Sequence, residues 1–205
     1  MSPQIDISGS DSKLSCDKIQ GQSASTITVP TGHTVAITDS GGLTLAGTAV
    51  NAGSLGKVLQ VVNTQTGAVA TGTTVMPEDD TIPQNTEGVE FMTLAITPTS
   101  ASSKLLIQVH AMASHSDGTA NTIGIALFQD STANALGAMH IRLTVSLRKL
   151  LSFNHYMTAG TTSATTFKVR IGGSDAGTTT FNGNGGSRLL GGAMASSITI
   201  TEIAV

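Results

Sequence analysis

Few residues in this chain have the chemistry to act as acids, bases, ligands or nucleophiles, and most of them stand apart. Three acids are consecutive, Glu78-Asp79-Asp80, within MPEDDTIPQNTEG (76–88). Such a triplet can raise a carboxylate pKa or hold a hard cation. Here prolines frame it and no basic residue adjoins it, so the sequence favours a solvated turn. The histidines are His33, His110, His115, His140 and His155. His110 and His115 are five apart, which puts them on opposite faces of a strand and makes no preset metal pair. His140 and His155 fall on neighbouring expected strands and could meet across a hairpin. His33 sits at a turn; repeated three times near a threefold axis it could ligate a metal, although a solvent-exposed turn histidine is the simpler expectation.

Nucleophilic chemistry finds no footing. There is no G-x-S-x-G elbow, and the single cysteine, Cys16, lies in a polar stretch with no histidine nearby. GNGGS (183–187) is glycine-rich but lacks the Lys-Ser/Thr ending of a phosphate loop. With no Trp and only Tyr156, a sugar site would have no aromatic platform. The expectation is a non-enzymatic protein with no catalytic residue, metal or cofactor.

The elements that carry these residues are β-strands. Charged residues are 11% of the 205 and aromatics 3%, while threonine fills 31 positions and glycine 23. The stiff β-branched threonine side chain suits a pleated surface. The formal net charge of −3, with no basic block larger than Arg148-Lys149, argues against nucleic-acid binding, which needs a stripe of cations. No apolar run reaches the roughly 18 residues of a membrane span, and MSPQIDISGSDSKL does not read as a secretory signal. An aromatic-poor β protein without disulfides is expected to gain stability by oligomerising.

Three regions follow. Residues 1–24 are polar and read as an extended anchoring arm, with Ile5, Ile7, Leu14 and Ile19 as candidate contacts to a larger particle. Residues 25–56 contain TITVPTGHTVAITDSGGLTLAGTAV (26–50), a ladder of strands too short to bury their own apolar faces. Its residues Ile27, Val29, Val35, Ile37, Leu43, Leu45 and Val50 are candidates for a shared interface. Residues 57–205 then show ten alternating stretches, 57–64, 67–75, 89–97, 104–112, 122–130, 138–146, 149–157, 162–173, 177–183 and 196–205, separated by Gly/Ser/Asn/Asp turns, from which about eight or nine strands are expected. In VEFMTLAIT, Val89, Phe91, Leu94 and Ile96 are expected to turn inward. Spacing and turns match a β-sandwich or jelly roll. Two loops stand out: SHSDGTAN (114–121) with Ser114, His115 and Asp117, and NGNGGSRLLGGAM (182–194) with Asn182, Asn184 and Arg188. Either is a hairpin tip or a contact surface for a partner.

The segment DKIQGQSASTITVPTGHTVAITDSGGLTLAGTAVNAGSLGKVLQVVNT (17–64) resembles stems of bacteriophage structural proteins, especially short fibre-like proteins of aquatic and cyanobacterial phages. LAITPTSASSKLLIQVHA (94–111), IGIALFQDST (123–132) and SSITITEIAV (196–205) are similar to the β-sandwich heads that follow such stems. The resemblance implies an all-β homotrimer with an N-terminal interwoven short-strand stem and a jelly-roll-like head, located on a virion. The partners it implies are two further copies, a major capsid protein or tail protein, and a host surface glycan or protein. The chain is short and has no long shaft, which favours a capsid decoration protein (cement or head fibre); the alternative is a short tail fibre that binds a receptor.

Overall fold

The computed structural model describes residues 58–116, 122–142 and 148–205, with the short strands β1 (Leu43–Leu45) and β2 (Thr48–Val50), which pair as a two-stranded sheet. The chain divides into two units, Met1–Ala49 and Val50–Val205. Of the expected interface residues, Leu43 and Leu45 lie on β1 and Val50 on β2. Ile27, Val29, Val35 and Ile37, and the arm residues Ile5, Ile7, Leu14 and Ile19, lie outside the described residues.

The second unit is a two-sheet sandwich. Its longer strands are β3 (Val58–Thr66), β5 (Val89–Ile96), β6 (Lys104–His115), β7 (Thr122–Gln129), β8 (Gly137–Arg142), β9 (Lys149–Thr158), β10 (Thr165–Gly173) and β14 (Ser196–Ile203). Four short strands complete it: β4 (Ala70–Gly72), β11 (Thr179–Phe181), β12 (Gly183–Asn184) and β13 (Ser187–Arg188). One sheet runs β5-β10-β7-β8. The other runs β3-β14-β6-β9, with β11 and then β4 continuing beyond β14 along the same edge of β6. All the long-strand pairs are antiparallel. The chain crosses from one sheet to the other between β4 and β5, β5 and β6, β6 and β7, β8 and β9, β9 and β10, and β10 and β11. This is the connectivity of a jelly roll.

Alternation explains the core. On β6, Leu105, Ile107, Val109, Ala111 and Ala113 are fully buried, while the residues between them point away. They meet Ile123, Ile125 and Leu127 of β7 and Phe167, Val169 and Ile171 of β10 in one cluster, which also takes in Leu151, Phe181, Ile198 and Ile200. In β5 the inward parity changes partway. Val169 pairs with Met92 but Arg170 with Glu90, so Phe91 is the extra residue of a bulge. Phe91 stacks on Phe181 with ring centroids 5.1 Å apart. Met92, buried, then takes the inward direction that Leu94 and Ile96 continue.

The two sheets treat their outer faces differently. Across β7 and β10 runs a strap, residues 74–88. Met76 N–H donates to Gly173 O (2.9 Å), and the Met76 side chain is buried with Ala126 and Phe128 of β7. Consequently every residue of Thr122–Phe128 is buried. Arg170 fastens the far end of the strap, donating from Nε to Glu87 O and from Nη2 to Gly88 O, both 2.9 Å. Its Nη1 lies 3.7 Å from Glu90. The contact is close enough to require glycine beneath it. A Cβ at Gly172 would stand 2.7 Å from Thr74 O and 2.9 Å from Met76 N. Because the obstacle is backbone, Gly172→Ala is expected to lower unfolding stability by about 1–3 kcal/mol in urea titrations, with the strap displaced.

Candidate functional site

The outer face of the β3-β14-β6-β9 sheet carries no strap. Among the described residues nothing lies over it, and its rows follow from strand register. The first row is Val61, Thr201, Leu106 and Tyr156; the second is Asn63, Thr199, Gln108 and Asn154. The third is Gln65, Ser197, His110 and Ser152, and beyond it Met112 faces Leu150. Val61 and Tyr156 are each 57% exposed and Leu150 is 54% exposed. A band of amides and hydroxyls is thus bounded at both ends by apolar side chains. His110 Nδ1 and Ser152 Oγ share a hydrogen bond of 2.8 Å within it. Next to Leu150, Arg148 closes a small hollow with Leu189, Leu190 and Met194.

Two buried polar arrangements keep this sheet in register. Along the β6 edge, β14 ends and β11 begins at Met112. Its N–H donates to Ser196 Oγ (2.9 Å) and its carbonyl accepts from Asn182 N–H (2.8 Å). Ser196 Oγ donates onward to Asn182 Oδ1 (2.6 Å), and Asn182 Nδ2 donates to the carbonyls of Thr66 (2.7 Å) and Ala68 (3.1 Å). Asn182 has a φ of 53°, a left-handed conformation that asparagine tolerates better than most residues. At the other end of β14, Glu202 is fully buried. Its Oε1 accepts from Thr99 N–H and Oγ–H, both 2.8 Å, and from Ser100 N–H (3.3 Å); Oε2 accepts from Gln60 Nε2. Burial works against its charge, but the hydrogen bonds from Gln60 and Thr99 outweigh it and hold the carboxyl at a pKa of about 2.

The sign of the pH effect follows. A carboxyl depressed in the fold stabilises above its ordinary value of 4.5 and loses that contribution as pH falls toward 2. Wild type is therefore expected to lose stability across that window in acid-denaturation scans. Glu202→Gln should be flatter there and roughly 1.5–3 kcal/mol less stable at neutral pH, by urea titration.

The sequence-derived candidates fall into place unevenly. The two loops that stood out do meet: β11 pairs with the end of β6, and Ser114 Oγ donates to Gly183 O (3.1 Å). Ser114 and His115 belong to β6 and are buried, as is Asn182. Arg188 is exposed and Asn184 half-buried, while Asp117 lies outside the described residues. His140 and His155 do not meet across a hairpin, because β8 and β9 belong to different sheets. His140 Nε2 instead lies 3.4 Å from Met76 O under the strap. Burial pushes the pKa of His155 down. Of the acid triplet, Glu78 accepts from Thr122 Oγ1 (2.9 Å). Asp79 accepts from Thr81 side chain and backbone, which hold its carboxyl below the usual range. The open face itself was not singled out in the sequence. Its only trace there is the run of outward-parity residues Val61, Leu106, Leu150 and Tyr156 on strands whose other parity is the core.

No curated protein matches the chain. Among solved structures, it is similar to Eiger TNF from S. frugiperda, with 11% identity over 70% of this chain and 93% of that one and a TM-score of 0.38. It is also similar to the EclA C-terminal domain, a sugar-binding protein, with 13% identity over 57% of this chain and 76% of that one and a TM-score of 0.33. The infectious bursal disease virus VP2 subviral particle gives 16% identity over 71% of this chain and 40% of that one, with a TM-score of 0.32. The model of the Pgp3 C-terminal domain family matches residues 75–205, from the start of the strap through β14, and the chain belongs to that family.

Proposed function

We propose that this chain is a non-enzymatic structural protein that assembles as a homotrimer on the surface of a virion, as a capsid decoration protein of the cement or head-fibre kind. The observation that carries the assembly is the asymmetry of the sandwich. One outer face is crossed by the chain's own strap, and the other presents Val61, Leu150 and Tyr156 to solvent with the half-buried Leu106 among them. Four strands about 4.8 Å apart and some eight residues long give the open face roughly 500 Å² per copy. Shared between two neighbours around a threefold axis, that area falls short of the roughly 1,000 Å² at which a specific interface becomes stable by itself. The face therefore sets the geometry of contact, and the ladder at 26–50 adds the remaining stability. The likeness of residues 17–64 to phage stems supports the virion location, with the arm 1–24 anchoring to a capsid or tail protein.

A second reading is a short tail fibre that binds a host glycan or protein. The exposed loop around Arg188 favours it, since Leu190 is 77% exposed and held at a φ of 49°. An apolar side chain kept outward on such a backbone suits contact with a partner.

Sedimentation of the full chain at micromolar concentration should give about three times the monomer mass of 20.7 kDa. Leu106→Arg should lower that mass while leaving the far-UV spectrum unchanged. A monomeric wild type would sink the assembly. An antibody against the head should label tailless capsids for decoration, whereas label confined to tails, with cell binding lost when residues 185–192 are exchanged, would favour the fibre.

A further inference from the structure

We propose that protonation of His110 opens the contact between heads, so that acidification releases the open faces from one another. The inference rests on the assembly proposed above. His110 is exposed near the centre of that face, in the row Gln65, Ser197, His110 and Ser152. Its Nδ1 is engaged by Ser152 Oγ. The groups around it come from four strands. On β6 the same face carries Lys104, whose Nζ donates to Thr158 Oγ1 (2.7 Å), and Gln108. Strand β9 presents Leu150, Ser152, Asn154 and the Tyr156 phenol, with Arg148 just before it; β3 presents Val61, Asn63 and Gln65; β14 presents Ser197, Thr199 and Thr201. The one carboxylate on these strands, Glu202, is buried and already held by Gln60 and Thr99, and His155 is on the core-facing side of β9.

Among the described residues this face thus has cations at its rim, a histidine at its centre and no carboxylate. A neutral imidazole fits the surrounding hydroxyls and amides when water is excluded. An imidazolium there has no counter-ion from its own copy, and gathering like faces adds only further positive charge. Imidazoles acquire their charge in the mildly acidic range. The assembled state therefore binds fewer protons than separated heads, and assembly weakens as pH falls.

Tyr156 is the only tyrosine in a chain without tryptophan, and it lies on this face. Acrylamide quenching of tyrosine emission therefore reports on the face alone, even where the N-terminal ladder keeps the chains together. The full chain is to be measured at pH 7.5 and 5.0, with sedimentation and far-UV circular dichroism on the same samples. Quenching should rise severalfold at pH 5.0 in wild type, stay low at both pH values in His110→Gln, and be high at both in His110→Lys. A wild type shielded at both values, or a His110→Gln variant that opens like wild type, overturns the proposal and leaves the assembly standing. A monomer with Tyr156 quenched at both values overturns the assembly as well. Shielding in a monomer overturns both too, since the chain's own residues would then cover the face.

Discussion

The strap fixes which side of this molecule meets the outside world. A sandwich has two inner faces that fill one core and two outer faces that must each be left to water, covered by the chain or matched to a partner. Here Gly172 leaves the space for backbone at Thr74–Met76, and Gly124 leaves it for the His140 ring and the Met76 thioether. The Arg170 guanidinium secures the return at Glu87–Gly88. On the opposite sheet no such cover is present among the described residues, and Val61, Leu150 and Tyr156 stand exposed there.

The open face needs a sheet that stays in register, and buried polar groups supply that. Asn182 and Ser196 complete the β6 edge where neither β14 nor β11 reaches Met112. Glu202 ties β14 to β3 through Gln60 and to the turn at Thr99–Ser100. Both sites are satisfied by hydrogen bonds from several directions, which makes them specific to this arrangement; a slipped register would leave a charge or an amide buried without partners.

Much of this was legible in the residues. Alternation located β3, β5, β6, β7, β9, β10 and β14 to within a few positions, because one parity of each is core. The failures have separate physical causes. TTTFNG gave only a three-residue strand, since Asn182 turns left-handed to reach β6. In β5, by contrast, Phe91, Leu94 and Ile96 all pack on the core as their sequence led one to expect, the change of parity between them being the bulge at Phe91. The unbroken burial of TIGIALF reflects cover on two sides, which the strap provides from far along the chain. His140 and His155 looked like hairpin neighbours because a jelly roll sends consecutive strands to opposite sheets, and sequence spacing does not reveal that. Ser114 and Asn182 looked like loop tips because small polar residues serve equally well in buried edges. The open face was invisible for a related reason: nothing in one strand tells whether its second face will be covered.

The place of β14 has a consequence for how the molecule comes into being. It lies between β3 and β6 in the middle of the sheet that carries the open face, although β3 is made well over a hundred residues earlier. Until residues 196–203 have left the ribosome, β3 has no partner and β6 has an exposed edge. The head is thus completed after synthesis has passed its last strand, through contacts distant in sequence and correspondingly slow to form.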